Sequence, residues 1–474
     1  MIIKRVKNIL VSCLVCLPAV IFCQSKSSAK PNIIFILADD LGSAELGSYG
    51  NKFNETPNLD KLASQGLKFN QAYAAAPVCS PTRASIMTGQ YPARVRITDF
   101  LPAKTTRLLD PAKYSTLNNP LQAVGYHTGI IGKWHLDTDF KNNIGGPDKH
   151  GFNEVIGTET KYIADGDYFY PYDKINTYTT GKPDEYLTDR QCGDAADFIA
   201  RNKQKPFFLY LSFYSVHTAL DAPEEVVNKY KKKYDVMHGA GSAEKIFGSD
   251  NGKYTSNKEH NPYLAAMLEQ IDKGVGSIMA KLDKEGLAKN TLVVFFSDNG
   301  GAKGIGNNGE LREGKTWLYE GGIRENLIMR WPDKIKAGSH TDFPVSSIDF
   351  YPTFLKMAEA KHPDSQKVDG INILPLITNG VKPLRDELYW HNPSETAKAA
   401  NKMATVVRKG DYKLLQFYHG NRVELYNLKT DPGERKNLAE ANPAKKEELL
   451  KLLEKWKKDV DAEIPDLVNA KSVN

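Results

Sequence analysis

Four short runs constrain this chain most: NIIFILADD, TGIIGKWHL, PFFLYLSFYSVH and NTLVVFFSDNGG. Each is apolar over most of its length and rich in β-branched or aromatic residues. A strand with one wet face alternates polar and apolar residues, whereas a strand apolar throughout is covered on both faces. Helical patterns fall between the runs, among them TPNLDKLASQG, YLTDRQCGDAADFIARN and NPYLAAMLEQIDKGVGSIMAKLDKEG. Strand and helix in alternation predict an α/β fold with a large, mostly parallel sheet sandwiched by helices. Such sheets carry their sites beyond the carboxyl ends of the strands. Three of the runs end in polar residues there: Asp39-Asp40, His217 and Asp298-Asn299.

The pattern changes after about residue 379. ELYWH, ATVVRKGDYKLLQFY and VELYNLKTDPGERKN read as short antiparallel strands with turns at Lys409-Gly410 and Asp431-Pro432-Gly433. A helix follows, with Asn442 as cap, Pro443 at its first position and Leu449, Leu452, Leu453, Trp456 and Val460 on one stripe. This predicts a smaller C-terminal antiparallel sheet plus helix over 380–474, packed on a large domain over 24–379. Residues 158–185, rich in Tyr, and 224–261, rich in Lys, Gly and Asn, read as loops. The tyrosines suit sugar stacking or plain packing.

Residues 1–23 have a basic start, an apolar stretch from Ile9 to Phe22 and a polar turn at Gln24, the layout of a signal peptide. The expectation is export to the periplasm or beyond, with lipid anchoring at Cys23 the alternative. The formal charge of +6 includes Lys4, Arg5 and Lys7 of this leader, and the remainder is spread in mixed-sign clusters. That distribution argues against nucleic acid, which needs basic residues gathered on one face. Of the five cysteines, Cys79 and Cys192 lie beyond the leader. In an exported protein they could form a disulfide. Cys192 also reads as a small buried residue on the helix around 189–202.

Asp39 and Asp40 repel one another at a strand end unless a cation lies between them. Asp298 and Asn299 end a second strand and are followed by Gly300-Gly301, which allows tight turns. Three carboxylates and a carboxamide oxygen suit a hard divalent ion, calcium or magnesium, if the two strand ends are neighbours. In VCSPTRASIMTG, Ser80 suits an N-cap and Pro81 the first helical position, so Cys79 would sit at a helix N-terminus that favours an anion. Arg83 lies one turn on and adds a positive fork. Lys133 and His135 alternate along the second run and would face one side. His217 closes an apolar strand and suits proton transfer. His127, His150, His238 and His260 carry no motif and read as surface or loop residues.

Cys79-Ser80-Pro81-Thr82-Arg83, continuing to Thr88-Gly89, resembles the C-x-P-x-R signature of the type I sulfatases. PNIIFILADDLG, GKWHLD, His217-Thr218, SDNGG and REGKTWLYEGGIR resemble further blocks of that family in family order, and LYNLKTDPGERKNLA is family-like. The resemblance implies an alkaline-phosphatase-like fold and conversion of Cys79 to formylglycine by a formylglycine-generating or sulfatase-maturating enzyme. One hydroxyl of the hydrated aldehyde would attack sulfur, and the second would lose its proton to expel sulfate. It implies one calcium ion on Asp39, Asp40, Asp298, Asn299 and residue 79. It also implies sulfate contacts from Lys133 and Lys315, and proton handling by His135 near residue 79. Asp137 departs from the family's common glycine in GKWHLG and would reshape the adjacent loop or touch substrate.

The expected activity is hydrolysis of sulfate esters, with a sulfated carbohydrate as the implied substrate. Alternatives are a phosphodiester or phosphonate ester hydrolase, and a non-catalytic sulfated-glycan binder. The sequence leaves the sugar, the sulfate position and the oligomeric state open.

Overall fold

The computed structural model describes residues 30–465, apart from 102–106, 140–141, 160–167, 176, 249–258 and 394–399. Residues 1–23, where a signal peptide is expected, lie outside the described residues. The main sheet contains β1 (Asn32–Ala38), β2 (Leu67–Tyr73), β3 (His127–Gly132), β4 (Glu154–Ile156), β5 (Phe207–Ser212), β6 (Thr291–Ser297), β7 (Arg324–Arg330), β8 (Ser339–Thr341) and β9 (Val345–Ser346). Its order is β4-β3-β5-β1-β6-β7-β2-β8, with β9 also on β2. From β4 to β6 every pairing is parallel, β7 runs antiparallel to both β6 and β2, and β8 and β9 are parallel to β2.

The apolar runs form the centre of this sheet, as their two-sided burial requires. In β1, Ile34, Ile36 and Ala38 join the apolar cluster on one face, with the helices Leu187–Asn202, Glu224–His238 and Pro262–Lys284. Ile33, Phe35 and Leu37 face the other way, against the helices Cys79–Thr88 and Phe350–Ala358. A period of two puts successive residues on opposite faces, so both sets must be apolar. Among the described residues no helix is long and apolar enough to cross a membrane.

The second sheet is β10 (Glu387–Asn392), β11 (Ala404–Lys409), β12 (Tyr412–Phe417) and β13 (Val423–Asn427), antiparallel in that order. The helix Pro443–Asp459 covers it, with Asn442 accepting from Lys445 N as cap. Trp390, Val406, Leu415 and Tyr426 of this sheet share an apolar cluster with Tyr73, Leu318, Tyr319 and Ile323 of the larger part. A buried ion triad crosses the same junction. Lys413 lies 2.9 Å from both Glu320 and Glu434, and all three side chains are fully enclosed.

Two local expectations are corrected, for residues 224–261 and His150, and two open readings, of the tyrosines and the cysteines, are decided. The stretch after Pro223 is helical over Glu224–His238 and again over Ser242–Phe247. Its lysines line the wet face while Val226, Val227, Tyr230 and Tyr234 form the buried stripe. Tyr168, Tyr172 and Tyr178 are buried in the main core, which makes them packing residues. His150 is buried and bonds the Leu109 carbonyl. Cys79 and Cys192 are both free thiols, and Cys192 is the buried helix residue expected.

The triad sets a stability test. Lys413→Met strands two carboxylates without their cation and is expected to cost about 3–5 kcal/mol in urea unfolding. Adding Glu320→Gln and Glu434→Gln to that variant should recover part of the loss.

Candidate active site

Ala38 of β1 pairs with Ser297 of β6, so the next residues, Asp39 and Asp298, emerge side by side at the carboxyl end of the sheet. The Asp298 N–H donates to the Ala38 carbonyl at 3.2 Å, and the Asp40 N–H donates to Asp298 Oδ1 at 3.2 Å. The helix Cys79–Thr88 abuts this edge, and one ligand atom each from Asp39, Asp40, Cys79 and Asp298 lie within 4.8 Å of one another. The two strand ends and the Cys79 segment therefore converge as the sequence predicts. The helix starts two residues earlier than expected, at Cys79, after an extended Val78. Ser80 does not cap it: its Oγ accepts from Leu101 N at 3.1 Å.

Cations balance the buried carboxylates. Lys133 Nζ donates to Asp39 Oδ2 at 2.5 Å and reaches Cys79 Sγ at 3.7 Å. Arg83 donates to Asp298 Oδ2 through Nε at 3.0 Å and Nη2 at 2.7 Å, and through Nη1 to Lys133 O and Ser212 Oγ. Lys315 Nζ donates to Asp40 Oδ2 at 2.7 Å and to His217 Nε2 at 3.0 Å. His217 Nδ1 lies 2.6 Å from the Thr218 carbonyl. A carbonyl only accepts, so Nδ1 carries the proton and Nε2 offers a lone pair to Lys315.

Burial opposes charge throughout, and the neighbours decide each case. Asp39 is held well below the usual carboxylate range because Lys133, His217 and Arg83 outweigh its desolvation. Asp298 is pushed up to about 7 by burial and by the charge of Asp39. Burial lowers His217, reinforced by Lys315, and lowers His135, reinforced by Lys133 and Arg83. Burial also pushes the Cys79 thiol up, against the pull of Lys133 and Lys315, so the unmodified side chain is a poor nucleophile.

The donor set fits a divalent cation. Asn299 Oδ1 is buried with no hydrogen-bond partner, while its Nδ2 donates to Asp40 Oδ1 at 2.8 Å. A cation among these oxygens would satisfy the amide oxygen and relieve the repulsion of three adjacent carboxylates.

The backbone is strained where the site is densest. Asp40, His135 and Thr316 have φ of 60°, 54° and 76°, a region non-glycine residues seldom occupy. Two segments also press together closely: a Cβ on Gly300 would lie 1.9 Å from Gly321 O, and one on Gly314 would lie 2.3 Å from Gly301 O. These contacts seat the Lys315 loop on the Asp298-Asn299 turn.

Lys133 and His135 reach the site differently from the alternation predicted. The strand ends at Gly132, and a left-handed turn at His135 aims the ring at the Leu101 carbonyl, 3.2 Å away. His217 likewise lies five residues past the end of β5 at Ser212. Sequence reasoning missed Glu159, whose carboxylate accepts from the N–H groups of Trp134 and His135. It also missed Tyr168, whose hydroxyl donates to the carbonyls of Tyr214 and His217. Neither carries a local pattern, because each acts on a backbone distant in sequence. Asp137 organises its own loop, accepting from Asp139 N and Gly145 N at 2.9 Å each.

The Sulfatase family model matches residues 31–360, which include every one of these site residues. The chain belongs to the sulfatase family. A second model, N-sulphoglucosamine sulphohydrolase C-terminal, matches residues 312–461. This sulfatase is 31% identical over 460 residues to steryl-sulfatase of Rattus norvegicus, covering 78% of this chain and 74% of the relative. It is 32% identical over 382 residues to N-acetylgalactosamine-6-sulfatase of the same organism, covering 74% and 66%. The crystal structure of Ps i-CgsB in complex with k-i-k-neocarrahexaose superposes with a TM-score of 0.76 at 31% identity, covering 93% of this sulfatase and 96% of that chain. This sulfatase is a sulfuric ester hydrolase, built on a mixed sheet flanked by helices with a separate antiparallel sheet.

Metal binding gives a direct test. After chelation, adding a divalent cation at 100 times its Kd should stabilise the protein by about 2.7 kcal/mol in thermal melts. Asp40→Asn should remove most of that gain, since Asp40 borders both Asn299 and Lys315.

Proposed function

We propose that this sulfatase hydrolyses sulfate esters of a carbohydrate through a formylglycine derived from Cys79, with one calcium ion on Asp39, Asp40, Asp298, Asn299 and residue 79. The observation that carries the reading is the meeting of Cys79 Sγ with three carboxylates and two ammonium groups at one sheet end. A buried thiol with a raised pKa, and no disulfide partner, gains a function there once it is oxidised to an aldehyde. The carbohydrate assignment draws on the neocarrahexaose complex of Ps i-CgsB and on the N-acetylgalactosamine-6-sulfatase relative.

A bound divalent cation supplies Lewis acidity toward the oxygens of the ester and of residue 79. The protein's own groups do the rest. With the carboxylates committed to that cation, Lys133 and Lys315 are free to turn their N–H groups toward sulfate oxygens, where charge develops in the transition state. Arg83 keeps its fork on Asp298, Ser212 and the Lys133 carbonyl, and so positions the ligand set. His217 Nε2, which faces Lys315 at 3.0 Å, is the nitrogen that would pass a proton to the leaving alcohol once it has taken one up. The family resemblance gives His135, which burial keeps neutral, the role of taking a proton from residue 79. The leader composition of residues 1–23 supports export, and the maturation enzyme would act on the chain before it folds around residue 79.

Three measurements test this reading. Peptide mass at residue 79 in protein from the native host should be that of the aldehyde, and an unconverted thiol counts against catalysis. Sulfate release should proceed on sulfated oligosaccharides in preference to phosphate release from aryl phosphate esters. Cys79→Ala is expected to lower kcat by on the order of 10⁶, the scale for loss of a covalent nucleophile. A preference for phosphate esters would overturn the assignment.

A further inference from the structure

Lys402 lies just before β11 and reaches across to the loop that carries Lys315. Its Nζ donates to Thr316 Oγ1 at 2.7 Å and stands 5.1 Å from the centroid of the Trp317 ring. The two lysines of the catalytic cluster each hold a carboxylate, Lys133 on Asp39 and Lys315 on Asp40. Among the described residues Lys402 forms no such ion pair. The acidic group that acts on it, Glu313, is paired at 2.9 Å with Lys303. Burial lowers the pKa of Lys402, and Glu313 only partly offsets this.

An ammonium has three donors, and a threonine hydroxyl with a ring face satisfies little more than one of them. Partial burial of a cation without a counter-charge is unfavourable unless something anionic completes it. Its anchor is placed to make that useful. Thr316 is the residue next to Lys315, and its N–H donates at 2.8 Å to the carbonyl of Pro77, two residues before Cys79. Asn392 of β10 donates through Nδ2 to the Thr316 carbonyl at 3.5 Å. The second sheet thus places one uncompensated cation beside the residue that flanks Lys315.

We propose that Lys402 binds a second oxyanion of the substrate, a sulfate or carboxylate on the same sugar as the scissile ester or on its neighbour. The inference rests on the carbohydrate reading above and narrows it to saccharides that carry more than one anionic group. Lys402 is a specificity residue; Lys133, Lys315 and the cation handle the ester that breaks.

The test compares matured wild-type enzyme and variants on four oligosaccharides of one backbone: a monosulfated one, its disulfated form, a monosulfated uronate and that uronate reduced to the alcohol. Wild type should favour at least one dianionic substrate over its singly charged counterpart. The disulfated pair reports a sulfate and the uronate pair a carboxylate. Lys402→Gln should reduce that preference about tenfold, read as a ratio of kcat/KM values and borne by KM, the scale of one hydrogen bond to a charged group. Lys402→Arg should retain it. A wild type indifferent to the second charge, or a Lys402→Gln variant that loses activity equally on all four, overturns the inference while leaving the carbohydrate reading standing. If none of the four is hydrolysed although residue 79 is the aldehyde, the carbohydrate reading fails and this inference with it.

Discussion

The structure depends on a buried charge cluster at the carboxyl ends of β1 and β6. Asp39 and Asp298 are forced together by the register of those strands, in a place with no solvent to separate their charges. Arg83 resolves the conflict, contacting both and bonding Asp298 through two nitrogens. Because Arg83 sits in the helix Cys79–Thr88, the same interaction draws that helix onto the sheet and sets Cys79 beside the carboxylates. Lys133 completes the balance from β3 on the other side. Buried ions contribute little net stability when paired and are costly when one partner is lost. The cluster is therefore best understood as a device for placement, retained because the site needs its carboxylates adjacent and its cations close.

A second buried cluster does the same for the Lys315 loop. Glu320, directly after that loop, is held by Lys413 of β12 and by the hydroxyl of Tyr73, which Arg408 in turn supports. Glu434 accepts from the Glu320 N–H and lies 2.9 Å from the same lysine, while its carbonyl accepts from Arg312 at the start of the loop. The smaller sheet thus grips the loop at both ends. Its contribution to the site is one of position, through Glu320 and Arg312, and of charge at the rim, through Lys402.

Much of the site was legible in the sequence. Polar residues at the ends of wholly apolar strands, and a cysteine followed by proline and arginine, are local patterns with local causes. Those patterns pointed to Asp39, Asp40, Asp298, Asn299, Cys79 and Arg83. What was not legible came from chain segments whose purpose lies elsewhere. Glu159 supports Trp134 and His135 from a stretch that reads only as a tyrosine-rich loop. Val226 and Tyr230 form a helical stripe that dense lysines obscured. Lys133 and His135 were correctly grouped, but by an alternation that stops at Gly132.

The amino-acid sequence by itself determined the layered α/β architecture, because strands apolar on both faces can be satisfied only between helices. It also pointed to the candidate residues at the site, since residue type at a strand end or a helix start is a local property. Only the tertiary structure decided how those groups are poised: which lysine balances which carboxylate, and which nitrogen of His217 holds its proton. It likewise decided that Lys402, just before β11, stands beside the Lys315 loop. The lysine pairings depend on distances between segments far apart in the chain, 94 residues for Lys133 and Asp39 and 275 for Lys315 and Asp40, and electrostatic energies in a buried site are set by those distances.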